Sequence, residues 1–424
     1  MNEPILFVSR QRLVGRANGS SAYLLDLAHS ARAAGFVPHL VQPTPRVAGR
    51  WPVLRMRPEM RVFESHCIRG LLRLGPVFVS CSPAVWGAAL AGMARRLARR
   101  CGLKGAWLAD RPFGYVIAES WAPADRRYLA ARAAGKGAVA VADYMFCGAA
   151  VAALPGVTRS AIVMHDLFHS RAGQAGDTVS AITREAELAM LATTDAVIAI
   201  QPAEAAFVAS HLPASTVVVA PMAAQPMAAP APGEDDHLLF VGSNTGPNVV
   251  GLRWFLEAVW PALRAARPGL RLTVAGNVGW AFAGEAWEGV RFAGLVDDLA
   301  GLYRAAGVVI SPLTFGSGLK IKLIEAMAQG KAVVASPVTL QGVEDTAGPA
   351  VAGADSADEW AAAIAALAGD GAARAGLGAA ALAAVRHHFA HEQAHRAFRQ
   401  WLAAARPAPQ PAASRGEALL AQPA

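Results

Sequence analysis

The chain has 424 residues, of which 54% are hydrophobic and 17% are charged. This composition excludes disorder for most of the length, and the length exceeds one ordinary core, so we expect two globular domains of about 200 residues each. Residues 1–190 carry 24 Lys and Arg against 12 Asp and Glu, which predicts an anionic partner for the first half, such as a membrane surface, a lipid phosphate or an acidic polymer.

The opening of the chain predicts a βαβ unit. The letters ILFVS form a short apolar strand, a glycine-containing loop follows, and SAYLLDLAHSARAAG has the apolar spacing of a helix. Ser20 or Ser21 can cap the start of this helix, and Gly35 suits its end before FVPHLV resumes as a strand. The first ten residues, with acidic Glu3 and a short apolar run, predict no signal peptide.

Further apolar strands follow along the first half. They are PVFVS (76–80), GAWLAD (105–110), GAVAVA (137–142), AIVMH (161–165), AVIAI (196–200) and TVVVA (216–220). Because such strands alternate with helical or loop segments, we expect a parallel sheet covered on both faces. The uncharged stretch 74–94 is nominally long enough to span a bilayer, but its prolines and serines predict a short strand and a separate helix.

A proline- and alanine-rich segment, PMAAQPMAAPAPGEDD, separates this series from a second one. The second series has its strands in HLLFVG, LRLTVAG, VRFAG, VVISPL and AVVASPV. We therefore expect an α/β fold with a first domain at 1–220, a linker at 221–236 and a second doubly wound domain at 237–385. The composition of residues 405–424 predicts a disordered tail.

The segment TFGSGLKIKLIEAMAQGKAVVASPV, residues 314–338, places two lysines where a helix begins. A helix start carries roughly half a positive charge, which repels Lys320 and Lys322 by about 0.3 to 1 kcal/mol each when they are exposed. A bound anion would compensate, because free backbone N–H groups, a glycine loop and two ammonium groups together describe a phosphate site. The alternative is that both lysines extend into water and that Lys322 pairs with Glu325.

Glycine loops occupy matching positions in the two domains. Gly316, Ser317 and Gly318 follow the strand VVISPL, whereas Gly15 and Gly19 follow the first strand of the chain. Ligands of open α/β sheets bind at the carboxyl ends of the strands. If these two edges face each other across a cleft, both loops reach one ligand, which favours the anion site.

Three longer segments occur in a fixed order along the chain. They are LLFVGSNTGPNVVGLRWFLEAVWPAL, VRFAGLVDDLAGLYRAAGVVISPLTFGSGLKIKLIEAMAQGKAVVASPV and FAHEQAHRAFRQWL. Together they resemble the bacterial family 4, or group 1, glycosyltransferases of exopolysaccharide type; the first domain fits more loosely, through its opening βαβ unit and IVMHDLFHSR. The resemblance implies the GT-B fold, in which two Rossmann-like doubly wound domains face each other across a cleft. It also implies a retaining, metal-independent enzyme and a C-terminal helix, residues 386–404, that crosses back to the first domain.

The resemblance assigns roles to particular residues. Glu325 matches the glutamate that binds the nucleotide ribose, and Lys320 and Lys322 match a basic pair that holds the departing diphosphate. His165 matches a first-domain histidine near the reacting centre. Gly19 matches a glycine loop that lets the diphosphate approach the first domain.

Two departures from the family pattern leave the donor sugar open. Ser317 stands eight positions before Glu325, where many members carry a second glutamate near the donor sugar. The loop GSNTGPNVVG follows the first strand of the second domain, where many members carry an Arg and a Lys. The phosphate charge is therefore expected to fall to Lys320, Lys322 and the backbone.

Other charged residues allow two interpretations each. Asp166 can orient the neighbouring imidazole or cap the turn that follows it. Arg10, Arg12 and Arg16 can contact phosphate or an anionic acceptor, or can be solvated loop charge. The basic run ARRLARRCGLKG, residues 94–105, can face a membrane or water.

These observations predict a glycosyltransferase with a nucleotide diphosphate sugar as donor and a sugar or lipid-linked acceptor. We expect it in the cytoplasm, with peripheral contact at the inner face of an anionic membrane, and with no nucleic-acid partner, cofactor or metal. The alternatives are a sugar-nucleotide epimerase of the same architecture and a nucleotide-sugar binding protein without activity. A dehydrogenase is disfavoured, because the first strand is not followed by GxGxxG. The cysteines lack CxxC spacing and predict reduced thiols: Cys67, Cys81, Cys101 and Cys147.

Overall fold

The computed structural model describes residues 3–16, 18–49, 51–102, 116–171, 182–296, 298–316 and 318–404. In these ranges the strands are β1 (Glu3–Val8), β2 (Phe36–Gln42), β3 (Val53–Arg55), β4 (Ser65–Ile68), β5 (Leu71–Leu74), β6 (Val77–Ser80), β7 (Val139–Asp143), β8 (Arg159–Met164), β9 (Ala196–Ala199), β10 (Thr216–Val219), β11 (His237–Val241), β12 (Arg271–Ala275), β13 (Val290–Gly294), β14 (Val308–Ser311), β15 (Ala332–Ala335) and β16 (Ala352–Gly353). The α-helices are α1 (Gly19–Ala33), α2 (Pro83–Arg100), α3 (Pro123–Ala133), α4 (Gly148–Ala152), α5 (Arg184–Leu191), α6 (Pro202–His211), α7 (Gly246–Trp254), α8 (Trp260–Ala266), α9 (Ala300–Ala305), α10 (Ile321–Ala328), α11 (Pro337–Leu340), α12 (Glu344–Ala347), α13 (Ala357–Ala368), α14 (Gly371–Ala384), α15 (His391–Ala394) and α16 (Arg396–Ala403). The predicted strand GAWLAD, the residue Ser317 and the predicted tail at 405–424 lie outside the described residues.

The first domain is built on a parallel sheet with the strand order β10-β9-β8-β7-β1-β2-β4. Its central strands β7 and β8 are buried almost throughout, as expected of apolar strands in a covered parallel sheet. The chain runs outward from β1 through β2 to β4 and then returns to the other side of β1 at β7. This reversal leaves a crevice at the carboxyl ends of β1 and β7, where ligands of doubly wound sheets bind.

The second domain repeats this plan with the order β13-β12-β11-β14-β15-β16, and all its paired strands are parallel. Its reversal point lies between β11 and β14. The predicted α/β fold with two Rossmann-like doubly wound sheets is thereby confirmed. One hydrophobic core contains residues of both domains, including Phe7 and Tyr23 of the first and Leu319 and Leu323 of the second.

One strand of the first domain departs from the prediction. The segment PVFVS forms β6, but β6 lies in a separate antiparallel sheet with the order β3-β6-β5. The reason is the tight turn at Gly75, whose φ of 59° lets β5 fold directly back onto β6. The stretch 74–94 does divide into a strand and a helix, as predicted. Within the described part of the chain, no helix is long and apolar enough to cross a membrane.

The start of α1 also differs from the prediction. Asn18 caps the helix in place of Ser20 or Ser21, and its Oδ1 accepts a hydrogen bond from Ser21 N at 2.8 Å. Ser21 Oγ accepts in return from Asn18 N at 3.0 Å, which completes a capping box. All three side chains are able to cap, so the path of the preceding loop decides which one does. Gly35, with a φ of 82°, follows the helix end as predicted.

The C-terminal segment packs on the first domain. After α14 the chain passes through a short π-helical turn and α15 into α16, whose Phe398 and Leu402 are buried in the core shared with that domain. His395 joins the two parts, since its Nδ1 lies 2.6 Å from Ser30 Oγ of α1 and its Nε2 lies 3.1 Å from Pro221 O. Residues 221–236, between β10 and β11, contain neither helix nor strand.

Candidate functional site

A cavity of about 660 Å³ lies between the two domains at the carboxyl ends of their parallel strands. The loops after β1, β7 and β8 line it from the first domain, and the residues just before and at the start of α10 line it from the second. Three of the predicted site residues, Gly19, His165 and Gly318, meet there. They lie together because the strands that precede them, β1, β8 and β14, end at the facing edges of the two sheets.

His165 follows β8, is buried in the cavity wall and is held by Asp143 at the end of β7. The distance from His165 Nε2 to Asp143 Oδ1 is 2.8 Å. The other oxygen of this carboxylate, Oδ2, accepts from Ser9 Oγ at 2.5 Å and from Gln11 Nε2 at 2.7 Å. A carboxylate acceptor at Nε2 places the proton of the neutral ring on that nitrogen, so Nδ1 is the acceptor. The histidine therefore has a fixed tautomer and can accept a proton or orient a hydroxyl group.

Asp143, and not Asp166, orients His165. Asp166 lies against the second domain instead, since a Cβ built on Gly318 would be 2.3 Å from Asp166 Oδ1. Sequence reasoning missed Asp143 because it lies 22 positions before its partner. A signal for it was present, since it ends the buried strand VAVAD at a carboxyl edge, where an unpaired carboxylate would be costly.

Tyr144 covers the imidazole. Its φ of 65° is one that bulky residues rarely adopt. Its ring stacks on that of His165, with centroids 4.0 Å apart and planes at 29°, and Tyr23 meets the same imidazole edge-on at 5.6 Å. Backbone strain of this kind persists where the surroundings fix it and is concentrated at functional sites, which favours a functional role for this loop.

The two domains touch at positions that have no Cβ. A Cβ on Gly19 would lie 2.6 Å from Ile321 Cδ1 of α10. Gly318 adopts a φ of 74°, and a Cβ on it would lie 2.3 Å from Asp166 Oδ1 in the loop after β8. Any larger side chain at either position would have to displace the side chain of Ile321 or of Asp166.

The two lysines at the start of α10 have different surroundings, and neither is among the described residues that line the cavity. Lys320, at the N-cap, donates from Nζ to Gly318 O at 2.7 Å and to Gly316 O at 3.3 Å, so it holds the glycine loop together. Lys322 Nζ lies 2.5 Å from Glu325 Oε2, and both side chains are partly exposed. The pairing of Lys322 with Glu325 that the sequence offered as the alternative to an anion is thus present.

The second-domain edge beside these lysines is polar and uncharged. Asn248, in the first turn of α7, donates from Nδ2 to Ser243 O at 3.1 Å and to Ser243 Oγ at 3.2 Å in the loop after β11. The loop after β14 lies alongside it, because a Cβ on Gly316 would be 3.4 Å from Pro247 Cγ. Glu325 lies near the buried Tyr303, and the pKa of that phenol is raised by burial first and by the charge of Glu325 second.

A buried carboxyl group stands next to the site. Gln201 Nε2 donates to Glu204 Oε1 on α6 at 3.2 Å, and Gln201 also meets the second domain, because a Cβ on Gly342 would be 2.2 Å from Gln201 Oε1. Burial, followed by the negative charge of Asp166, raises the pKa of Glu204 to about 8. No sequence pattern predicted this burial, since a glutamate in the first turn of a helix is usually solvated.

The three arginines of the loop after β1 have different surroundings. Arg10 is buried, donates to Glu119 O and lies over Trp121 at 5.0 Å, and it also lines the cavity, so it supports residues 119–121 beside the site. Arg16 pairs with Asp26 of α1. Arg12 is exposed and lines the cavity, which leaves it as the arginine of this loop best placed to meet an anionic group there.

The remaining polar groups do not form a recognisable metal site. No cluster of three or more His, Cys, Asp or Glu suited to a metal ion occurs among the residues that the structure describes. The cysteines are free thiols, and burial raises the pKa of Cys147. The cavity thus offers imidazole, guanidinium, amide, hydroxyl and backbone groups to a ligand, together with the carboxylate of Asp166.

Two doubly wound domains with a cavity between their facing carboxyl edges form the architecture of the GT-B fold. Solved structures with this fold include sucrose-phosphate synthase from Thermosynechococcus elongatus, 21% identical, with a TM-score of 0.62 over 95% of this chain and 100% of that one. HepE from Anabaena, in complex with UDP, is 13% identical, with a TM-score of 0.59 over 95% and 100% of the two chains. A glycosyltransferase from Rickettsia africae is 12% identical, with a TM-score of 0.54 over 95% and 98%. At these identities the likeness shows the fold.

Residues 235–370 match the family described as Glycosyl transferases group 1. The resemblance predicted from the sequence motifs is thereby confirmed, and the match covers the second domain. An uncharacterized 44.6 kDa protein in the cps region of Klebsiella pneumoniae is 28% identical over 117 residues, which are 25% of this chain and 30% of that protein. That match spans less than a third of the relative's length.

Proposed function

We propose that the protein is a retaining, metal-independent glycosyltransferase that moves a sugar from a nucleotide diphosphate sugar to a hydroxyl acceptor in polysaccharide or glycolipid synthesis. The observation that carries this proposal is the cavity where both domains end their parallel strands, with His165 on one side and Gly318 on the other. The match to the group 1 family, the HepE complex with UDP and the relative in a cps region all support it.

The donor would lie on the second domain. Glu325 is partly exposed at the carboxyl edge and would accept from both ribose hydroxyls once Lys322 moves to the diphosphate. Lys320 and the N–H groups of the loop at Gly316 and Gly318 would meet the remaining phosphate charge. The uncharged loop after β11 is consistent with this division, because it adds no cation of its own.

The reaction would proceed by loss of the nucleoside diphosphate from the sugar. Negative charge grows on the leaving phosphate oxygen as the bond lengthens, and the start of α10 with its ammonium groups stabilises that charge more in the transition state than in the ground state. The acceptor hydroxyl attacks from the face that the diphosphate leaves and gives its proton to the departing phosphate oxygen, so the anomeric configuration is retained. His165, with Nδ1 as acceptor, would orient that hydroxyl or the sugar beside it.

The acceptor would lie on the first domain, among the loops after β1, β7 and β8. Arg12, Asn18 and Ser20 line this part of the cavity and offer one cation and two hydrogen-bonding groups to a sugar or a lipid-linked sugar phosphate. The positive charge of the first half is compatible with peripheral contact at an anionic membrane.

The proposal is tested by incubating the full chain with UDP-, GDP- and ADP-sugars, with and without hydroxyl acceptors. We expect release of nucleoside diphosphate that increases with acceptor. Isomerised sugar nucleotide formed without acceptor would indicate an epimerase instead, and tight binding without either product would indicate a binding protein.

The donor site has a specific test in Glu325→Ala. Loss of a carboxylate that accepts from two hydroxyls should weaken binding of the preferred nucleoside diphosphate by about 2 kcal/mol, measured by titration calorimetry. The exposed Glu344→Ala is the matched control and should bind normally. Unchanged affinity in Glu325→Ala would contradict the ribose assignment.

A further inference from the structure

The helix α2 exposes its apolar face. None of its 18 residues is buried. Trp86, Leu90, Met93 and Leu97 follow one another at intervals of four, three and four positions, so they lie on one face of the helix. Their exposed fractions are 41%, 60%, 56% and 64%.

The contacts of α2 with the described part of the chain do not cover this apolar face. The helix is anchored at its start, where Trp86 Nε1 donates to Ser80 O at 3.0 Å, and the half-buried positions on its other side are Val85, Ala89, Gly92, Arg95 and Ala98. A helix of a globular protein ordinarily turns its large apolar side chains toward the core. Large exposed apolar patches mark surfaces that bind a partner.

The antiparallel sheet next to α2 also exposes large apolar side chains. Leu72 and Leu74 on β5 are exposed by 58% and 57%, and Val53 on β3 by 43%. Leu72 pairs with Val79 and so does Val53, so these side chains share one face of the sheet. We call α2 and this sheet face the exposed apolar surface.

The charge around the exposed apolar surface indicates the chemistry of its partner. Residues 65–102 contain six Arg and no Asp or Glu. Four of these arginines lie in the last two turns of α2: Arg95, Arg96, Arg99 and Arg100. An apolar stripe bordered by arginines is the pattern of a helix that lies in the headgroup layer of an anionic bilayer. A protein partner would need acidic groups to meet the arginines and an apolar groove to receive the helix, whereas an anionic bilayer supplies both layers at once.

We propose that the exposed apolar surface docks the protein onto an anionic phospholipid bilayer, with the side chains of Trp86, Leu90, Met93 and Leu97 inserted among the acyl chains and the arginines at the phosphates. The helix lies on the bilayer and does not span it, because its length and apolarity are insufficient for crossing.

The surface also adjoins the cavity: Arg96 lies 5.6 Å from the ring of Trp51, and Trp51 lines the cavity. A lipid-linked acceptor would therefore enter the site from the bilayer, a consequence that rests on the proposed function, whereas docking itself does not.

The test is flotation of the full chain with vesicles of phosphatidylcholine containing 30% phosphatidylglycerol, beside vesicles of phosphatidylcholine alone. We expect recovery with the anionic vesicles and at least tenfold less in the double variant Leu90→Gln, Leu97→Gln. The matched control Met227→Gln, Leu295→Gln removes two exposed apolar side chains from elsewhere and should float like the original protein. A second variant, Arg99→Gln, Arg100→Gln, should lose binding at low salt.

Three results would overturn the proposal: equal flotation of the original protein and the Leu90, Leu97 variant, equal recovery with neutral and anionic vesicles, or no recovery with either. A dimer in light scattering that the Leu90, Leu97 variant abolishes, with no flotation, would assign the surface to a second copy of the chain. Melting curves check that each variant is folded. Because flotation needs no turnover, its failure is distinct from failure of sugar transfer to a soluble acceptor.

Discussion

At the scale of single residues, His165 depends on the carboxylate behind it. Asp143 accepts from the imidazole, from Ser9 and from Gln11, so its two oxygens are engaged and its charge is kept inside the protein. Tyr144 holds the ring from the side by stacking. The histidine is thus fixed in tautomer and in orientation before any ligand arrives, which is the condition for a group that positions a hydroxyl.

The change Asp143→Asn tests this arrangement. The amide presents an N–H group as readily as an oxygen, so the ring can turn over to the other tautomer, and we expect the rate of sugar transfer to fall at least tenfold. The lost charge-assisted hydrogen bonds should lower the free energy of unfolding by about 1–3 kcal/mol. Transfer is measured by nucleoside diphosphate release, and the tautomer by nitrogen NMR of the imidazole.

The exposed Asp358→Asn is the control for that change and should leave both readouts as they are. A full transfer rate in Asp143→Asn, with the tautomer altered, would mean that His165 has a purely structural role.

At the scale of elements, the site depends on loops that approach each other without side chains. The loop between β14 and α10 reaches the loop after β8 at Gly318, and the start of α10 reaches the start of α1 at Gly19. Lys320 reinforces the first of these loops by donating to two of its carbonyl groups. At these two contacts the facing edges of the two domains meet.

The change Gly318→Ala should therefore do more than strain the backbone. Gly156→Ala is the matched control, because Gly156 has a φ of 82° and no atom within 4 Å of a built Cβ. The control should lose about 1 to 2 kcal/mol of unfolding free energy and keep its transfer rate. Gly318→Ala should lose more stability and at least tenfold in rate, because its Cβ meets Asp166. Equal losses of stability and rate in the two variants would show that the close approach does not matter.

At the scale of the whole molecule, the two domains are joined through a buried region that contains a titratable group. Glu204 lies beside Gln201, which touches Gly342 of the second domain, and the shared core continues from there to α16. Because burial raises the pKa of Glu204 to about 8, the folded protein keeps this proton up to that pH. The unfolded chain releases it near the ordinary value of 4.5.

Stability should consequently fall as pH rises from about 5 to 8, since the folded state binds more protons than the unfolded state across this window. In Glu204→Gln this contribution is absent. We expect the unfolding free energy of the variant to gain on that of the original protein by at most about 1.4 kcal/mol per pH unit across the window. Urea unfolding at several pH values measures the difference, with the exposed Glu257→Gln as control for the change in net charge. A constant difference between pH 5 and 8 would contradict the assignment of this titration to Glu204.

Local patterns in the sequence were sufficient for the fold class. The apolar strands, the proline-rich separation at 221–236 and the order of glycine loops predicted two doubly wound domains, because periodicity and turn chemistry act within a few residues. The same patterns predicted that the glycine loops with Gly19 and Gly318 lie at facing sheet edges, because ligands of such sheets bind where strands end, and the family resemblance added His165. The family motifs added the group 1 resemblance.

Tertiary structure decided what depends on residues far apart in the chain. Asp143 became the partner of His165 because β7 and β8 pair side by side, and Arg10 became a core residue because residues 119–121 fold over it. The strand PVFVS joined an antiparallel sheet because of the turn at Gly75, and the apolar face of α2 was left outside the core. The local sequence determines which face of each helix or strand is apolar. Which distant element covers that face depends on the free energy of the whole packed chain.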